Sequence, residues 1–236
     1  LEEGIRFFIT SLGNPRGGVE RVGRVGGVVY HDVTELKWAQ KGLDGGVHGL
    51  IAVNSRAGGH AGEKTAEQLL EELSPIGLPL VCAGGIGTPA DFRRAIDLGY
   101  AGAQLGTRFI ATTECSAHAD YKRAIIDAES ANIVLTERLT GVPVAVIEND
   151  YVRRLGLKAG PVARWMLRHR RLKHWMRTIY ALRSLYRLKR DLSAGPGAVE
   201  YWQAGQSVEG IHDIRPAGEI VGEFELALAA ASDRRP

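Results

Sequence analysis

The run Gly49-Leu50-Ile51-Ala52-Val53, followed by Ala57-Gly58-Gly59-His60-Ala61-Gly62, decides how this chain is read. A short apolar run reads as a buried parallel strand. Glycines soon after it let the backbone approach something closely. The side chain delivered there is a histidine, which exchanges protons near neutral pH. The pattern returns as Leu78-Pro79-Leu80-Val81-Cys82-Ala83-Gly84-Gly85-Ile86, now without the histidine. Two strand-to-glycine junctions in succession suggest a phosphate-bearing cofactor, with His60 placed to act on whatever lies against it.

Working outward, five strand-like runs punctuate the first 110 residues: Ile5–Thr10, Gly27–Tyr30, Gly49–Val53, Leu78–Cys82 and Gly102–Leu105. Helical compositions separate most of them. Thr34–Lys41 has a helix period and a Gly42 stop, and Thr65–Leu73 begins on a capping Thr and ends before Pro75. Thr88-Pro89 is a cap with proline in the first turn, and its helix stops at Gly99. Alternating strands and helices with short links mean a parallel sheet with helical crossovers. An open doubly wound sheet and a (β/α)8 TIM-type barrel both fit. No Gly-x-Gly-x-x-Gly follows the first strand, and glycine-rich ends come on several successive strands, which favours the barrel. About five βα units are visible, so a barrel N-terminally incomplete by about three units is expected. The first residue is Leu, not Met, and a strand follows almost at once, which fits an N-terminal part missing from the sequence.

After Phe109 the pattern changes. Ser116–Ala131 reads as a helix, and Ile133–Leu135 and Val144–Ile147 as short strands around Gly141-Val142-Pro143. Tyr151–Arg190 contains no Asp or Glu and is dense in Arg and Lys, and large residues within Gly160–Leu192 recur at threes and fours. That pattern predicts a basic amphipathic helical insert. A loop over Tyr201–Gln206 and a closing C-terminal helix, Pro216–Ala230, complete the chain. The expected organisation is residues 1–150 as the C-terminal part of the barrel, 151–195 as the basic insert and 196–236 as a segment returning to the barrel.

The 236 residues suffice for one α/β domain with a substantial core. A formal net charge of +3 gives no general reason to expect nucleic acid as a partner. No apolar run has the length of a membrane span. Two cysteines, Cys82 and Cys115, make no disulfide framework, so a reducing, cytoplasmic setting is the simplest expectation. No His/Cys/Asp/Glu grouping has metal-ligand spacing, so no metal site is expected. The oligomeric state is left open.

Gly84-Gly85 lie between a strand and the helix opened by Thr88-Pro89, and Gly106-Thr107 follow the next strand. Glycine-exposed N–H groups with a helix N-terminus suit an anion; the plainer reading is that these glycines merely end strands. His60, between Gly59 and Ala61, is the sharpest chemical candidate, with His31 and His118 as weaker rivals. For the basic helices, a solvated face is the plainer reading and an anionic partner the other.

Taken together, Ala57-Gly58-Gly59-His60-Ala61-Gly62, Ala83-Gly84-Gly85-Ile86 and Gln104-Leu105-Gly106-Thr107-Arg108-Phe109-Ile110-Ala111-Thr112-Thr113-Glu114 resemble the nitronate monooxygenases. Ser11-Leu12-Gly13-Asn14-Pro15 and His118, Tyr121 and Lys122 extend the likeness. The resemblance implies an FMN-dependent (β/α)8 barrel that oxidises alkyl nitronates or nitroalkanes with dioxygen. It implies that His60 is the catalytic base and that Gly58 lies by the flavin. Gly84, Gly85, Gln104, Leu105, Gly106 and Thr107 would then hold the cofactor's phosphate end. Two positions depart from the family's pattern. Arg56 stands where an acidic residue is frequent, and Val53 where a Gln or Glu would contact flavin, with neighbouring Asn54 as a substitute. An FMN-dependent enoyl-thioester reductase using NAD(P)H, which shares the Ala-Gly-Gly-His motif, is the enzymatic alternative. A non-catalytic truncated barrel with a basic interaction surface is the alternative of another class.

Overall fold

The computed structural model describes residues 3–139, 141–158, 160 and 201–232. The helices expected within 160–192, and with them most of the basic insert, lie outside the described residues. The chain folds as two compact units: the first takes residues up to Ala57, Ala61–Leu105 and the segment from Gly218 on, the second Gly58–His60 and Gly106–Ala217.

The first unit carries a five-stranded parallel sheet: β1 (Phe7–Thr10), β2 (Val28–Val33), β3 (Gly49–Val53), β4 (Leu80–Ala83) and β5 (Gly102–Gln104). Its spatial order is the chain order, β1-β2-β3-β4-β5. A doubly wound sheet reverses direction at a switch point, and this sheet does not, so it is a stretch of barrel wall. Helices α1 (Arg16–Gly23), α2 (Leu36–Asp44), α3 (Ala66–Leu73) and α4 (Pro89–Leu98) fill the crossovers.

Local chemistry sets these boundaries. The hydroxyl of Thr65 accepts from Gln68 N while the Gln68 side chain accepts from Thr65 N, and Thr88 and Asp91 do the same at α4. Gly99 ends α4 at φ +117°, where a side chain would be strained. Leu69 and Leu73, one turn apart on α3, are fully buried, each worth roughly 1.5–3 kcal/mol of transfer free energy. A Cβ on Gly42 of α2 would touch Leu50 and His31, so those two side chains point to the helical layer. By alternation Tyr30, Asp32, Val53, Ala83 and Gln104 point to the opposite face. On that face Phe7 and Ile9 are each about half exposed.

The second unit is built on an antiparallel pair, β6 (Ile133–Thr136) and β7 (Val144–Ile147). All of β7 is buried. Around it lie α5 (Thr107–Ile110), α6 (Ala119–Ile126), α7 (Asp150–Leu155) and a 3-10 turn at Gln206–Gly210. Ala111, Ile125, Ile147, Ala204, Val208 and Ile211 form one apolar cluster. The last helix, α8 (Ala217–Ser232), belongs almost wholly to the first unit. Its Ile220 and Phe224 are buried, and the Phe224 ring meets Phe92 edge-on at 5.4 Å.

Three expectations change. The helix expected over Ser116–Ala131 is only Ala119–Ile126, because His118 caps it and a 3-10 turn at Ser130–Asn132 replaces its end. The strand expected at Gly27–Tyr30 runs on to Val33. The segment Arg16–Gly23, not expected to be regular, is helical despite Gly17 and Gly18.

Candidate active site

In the first unit the ends of β3 and β4 are laced together by Asn54. This side chain is 2% exposed. Its amide donates to Gly84 O at 2.9 Å and its Oδ1 accepts from Arg56 N at 2.8 Å. Its backbone N–H donates to Ala83 O at 2.9 Å. Asn54 is therefore a brace, occupied inside the protein, and not the stand-in for a flavin-contacting Gln suggested by its position.

The two glycines that follow β4 are demanded by this brace. Gly84 (φ +114°) and Gly85 (φ +74°) both occupy the left-handed half of conformational space. A Cβ on Gly84 would lie 2.6 Å from Ala57 N, and one on Gly85 2.9 Å from both Cβ and Nε of Arg56. Close packing thus explains both glycines before any ligand is considered. The buried N–H groups of Gly85 and Ile86 nevertheless find no acceptor among the described residues. Such orphans are uncommon in a finished interior.

At the N-terminus of α4, expected to help bind an anion, Asp91 engages two of the nearby N–H groups and the Ala90 N–H has no acceptor among the described residues. Gly87 N and Thr88 N both donate to Asp91 Oδ2, at 3.1 and 3.0 Å. Next along the sheet Gln104, opposite Ala83, carries a buried Oε1 with no hydrogen-bond partner among the described residues. Leu105 closes this strand end.

The second unit holds the histidine. Gly59 exchanges two backbone hydrogen bonds with Ala145 of β7, Gly59 N to Ala145 O at 3.3 Å and Ala145 N to Gly59 O at 2.7 Å. Further along the same strand, Ile147 N donates to Trp202 O at 2.9 Å, and Val146 bridges to Gln203. Gly59 and Gln203 are consequently side by side, and a Cβ on Gly59 would lie 3.3 Å from Gln203 Oε1. Gly58 packs still closer, since its Cβ would come within 2.7 Å of Gly205 N. Gly205 N donates to Thr107 Oγ1 at 3.1 Å, so Gly58 and Thr107 are joined through the 203–205 loop. Thr107 is buried, and among the described residues its hydroxyl proton has no acceptor. A Cβ on Gly106, beside it, would meet nothing within 4 Å.

His60 follows this pinned pair of glycines, with its side chain exposed and without a hydrogen bond among the described residues. Its rivals have structural work. His31 is 3% exposed and shares a 2.9 Å hydrogen bond with Thr10 on the helical side of the sheet; burial pulls its pKa down. His118 caps α6, its Nδ1 accepting from Asp120 N at 3.2 Å.

Gln203 was legible only as part of a loop; its place beside Gly59 depends on the hydrogen bond that Tyr121 OH donates to Gln203 O, 82 residues away in sequence, and on the Tyr121–Trp202 stack at 4.8 Å. Arg108, buried behind Thr107, donates from Nη2 to Asp213 Oδ1 at 3.0 Å and holds α5 to the 213–215 segment.

Comparison with known proteins places this arrangement. Over 159 residues the chain is 28% identical to a (3aS,4S,5R,7aS)-5-hydroxy-7a-methyl-1-oxo-octahydro-1H-indene-4-carboxyl-CoA dehydrogenase of Mycobacterium tuberculosis, covering 66% of this chain and 45% of that protein. Over 134 residues it is 32% identical to a probable nitronate monooxygenase of Staphylococcus saprophyticus, covering 52% of this chain and 38% of that protein. The chain thus spans less than half the length of these curated relatives. Among solved structures it is similar to nitroalkane oxidase from Streptomyces ansochromogenes, with TM-score 0.77 and 26% identity over 98% of this chain and 66% of that one. It is also similar to FabK from Thermotoga maritima, with TM-score 0.73 and 26% identity over 99% of this chain and 72% of that one. Both structures match across the sheet and the histidine-bearing unit, and the nitronate monooxygenase family model aligns with residues 1–225, which carry every glycine junction described above: the chain belongs to the nitronate monooxygenase family.

Proposed function

We propose that the protein takes part in FMN-dependent oxidation of alkyl nitronates or nitroalkanes by dioxygen, with His60 as the base. The observation that carries this reading is the presentation of His60: an exposed imidazole on a backbone fixed by Gly58 against Gly205 and by Gly59 against Ala145. A nitroalkane is a neutral carbon acid. An imidazole near pH 7 can take its α-proton onto a ring nitrogen. Negative charge then develops on the nitro oxygens, and the Gln203 amide, beside Gly59, is the hydrogen-bond donor for it.

The residues present fit a flavin phosphate. In the first unit Gly85 and Ile86 offer N–H groups with no acceptor among the described residues; in the second, Gly106 has open space at its Cβ position and Thr107 a hydroxyl proton. Gly84 shapes the turn, Leu105 continues the strand end, and Gly58 would lie by the flavin, as the family resemblance implies. Bound FMN supplies the electron transfer and the chemistry with dioxygen. The five strands are read as part of an eight-fold barrel.

Replacing His60 by Asn tests the base. Turnover of a neutral nitroalkane should fall by about 10²–10⁴-fold, whereas turnover of the pre-ionised nitronate should be kept. Equal loss on both would remove His60 from that role.

A second reading, oxidoreduction of an acyl thioester with a nicotinamide cofactor, is favoured by the CoA-thioester relative and by the FabK likeness. Rapid anaerobic bleaching of the bound flavin by NADH would select it over the first.

A further inference from the structure

Arg56 lies exposed at the end of β3, and its side chain folds back over Gly85, with Cβ, Nε and Cδ all within 2.9–3.0 Å of where a Gly85 Cβ would stand. Its own backbone N–H is fixed by Asn54 Oδ1, so the side chain leaves from a rigid point. Beside it are the buried N–H groups of Gly85 and Ile86, which have no acceptor among the described residues. Two N–H dipoles and a guanidinium on one strand end are partial and full charges of the same sign. Such a grouping becomes favourable when an anion sits among them. At the α4 terminus the Asp91 carboxylate takes the N–H groups of Gly87 and Thr88 and brings negative charge near. An anion at this strand end, with that carboxylate near, is favoured by a cation, and Arg56 is positioned to supply it.

We infer that Arg56 is the charge partner of a phosphate monoester at the β4 end and makes the protein select that ester over its dephosphorylated form. The identity of the ligand rests on the flavin reading above; the charge preference rests on the placement of Arg56. Arg is suited to the task, since its planar fork can give two hydrogen bonds to a phosphate.

The test is fluorescence-quenching titration of the protein and its Arg56→Gln and Arg56→Lys variants with FMN and with riboflavin. Arg56→Gln should weaken FMN binding by about tenfold or more, leave riboflavin binding unchanged and flatten the salt dependence of FMN binding. Arg56→Lys should recover part of the loss. Unchanged FMN affinity in Arg56→Gln, or an equal loss for both flavins, would overturn the inference, the latter because Arg56 would then only pack the loop. Should neither flavin bind, the flavin reading fails separately, and calorimetric titration with inorganic phosphate decides the charge partner. Phosphate binding that is lost in Arg56→Gln upholds it; identical binding in both proteins, or none in either, overturns it.

Discussion

Gly84 and Gly106 follow neighbouring strands, yet they are glycines for different reasons. Gly84 is held at φ +114° with Ala57 N 2.6 Å from any Cβ, so Gly84→Ala should cost about 2–4 kcal/mol through strain and displaced backbone, read as a lowered Tm. Gly106 has φ −105° and open space, so Gly106→Ala should change stability by less than about 1 kcal/mol while its methyl intrudes where the flavin phosphate is proposed. Unchanged Tm with weakened FMN binding is the expected pair of results; unchanged FMN binding would move the phosphate elsewhere. Gly85→Val is the poorer probe, because it collides with Arg56 whether or not phosphate binds. The sequence could not separate these glycines. Their difference lies in φ and in what crosses the sheet, whereas a glycine in text states only that a side chain is absent.

Among the elements, those written in local chemistry were legible. Thr65 with Gln68, Thr88 with Pro89, and Gly99 announce α3 and α4 because caps act within a turn. α1 hid behind Gly17 and Gly18, and α5, at four residues, is too short for a period to show. α5 is held instead by a distant clasp. Arg108, 3% exposed, pairs with Asp213, which also meets Arg215 at 2.8 Å. Burial alone would raise the Asp213 pKa, but hydrogen bonds from Arg215 and Arg108 outweigh it and hold the carboxyl below its ordinary value. A lowered folded pKa contributes stability above the unfolded value, near about 4, and that contribution is lost as pH falls through the folded value. Asp213→Asn should therefore destabilise the protein at neutral pH by about 1–2 kcal/mol, discounted because Asp213 is half exposed. It should also flatten the acid limb of stability; thermal melts from neutral to acid pH would show an unaltered limb if the clasp carried no charge coupling.

On the scale of the whole molecule, the barrel reading rests on strand order. Parallel strands in chain order are what the repeated strand-to-glycine rhythm led one to expect, and the structure adds that Phe7 and Ile9 are exposed on the face away from α2. What sequence could not supply is tertiary: Asn54 spent as a brace, Arg56 laid over Gly85, and Gln203 set beside Gly59. With these adjustments the His60 side chain is exposed after the pinned glycines, and Arg56 stands at the β4 end. The central claim, a flavin held beside a base for a carbon acid, is tested most directly by the visible spectrum of the purified protein after FMN is added and the excess removed. The spectrum is recorded anaerobically before and after ethyl nitronate, with NADH as the comparison. A retained flavin band that ethyl nitronate bleaches and NADH does not is the expected result. A colourless protein, or a band bleached by NADH and untouched by nitronate, would contradict the claim.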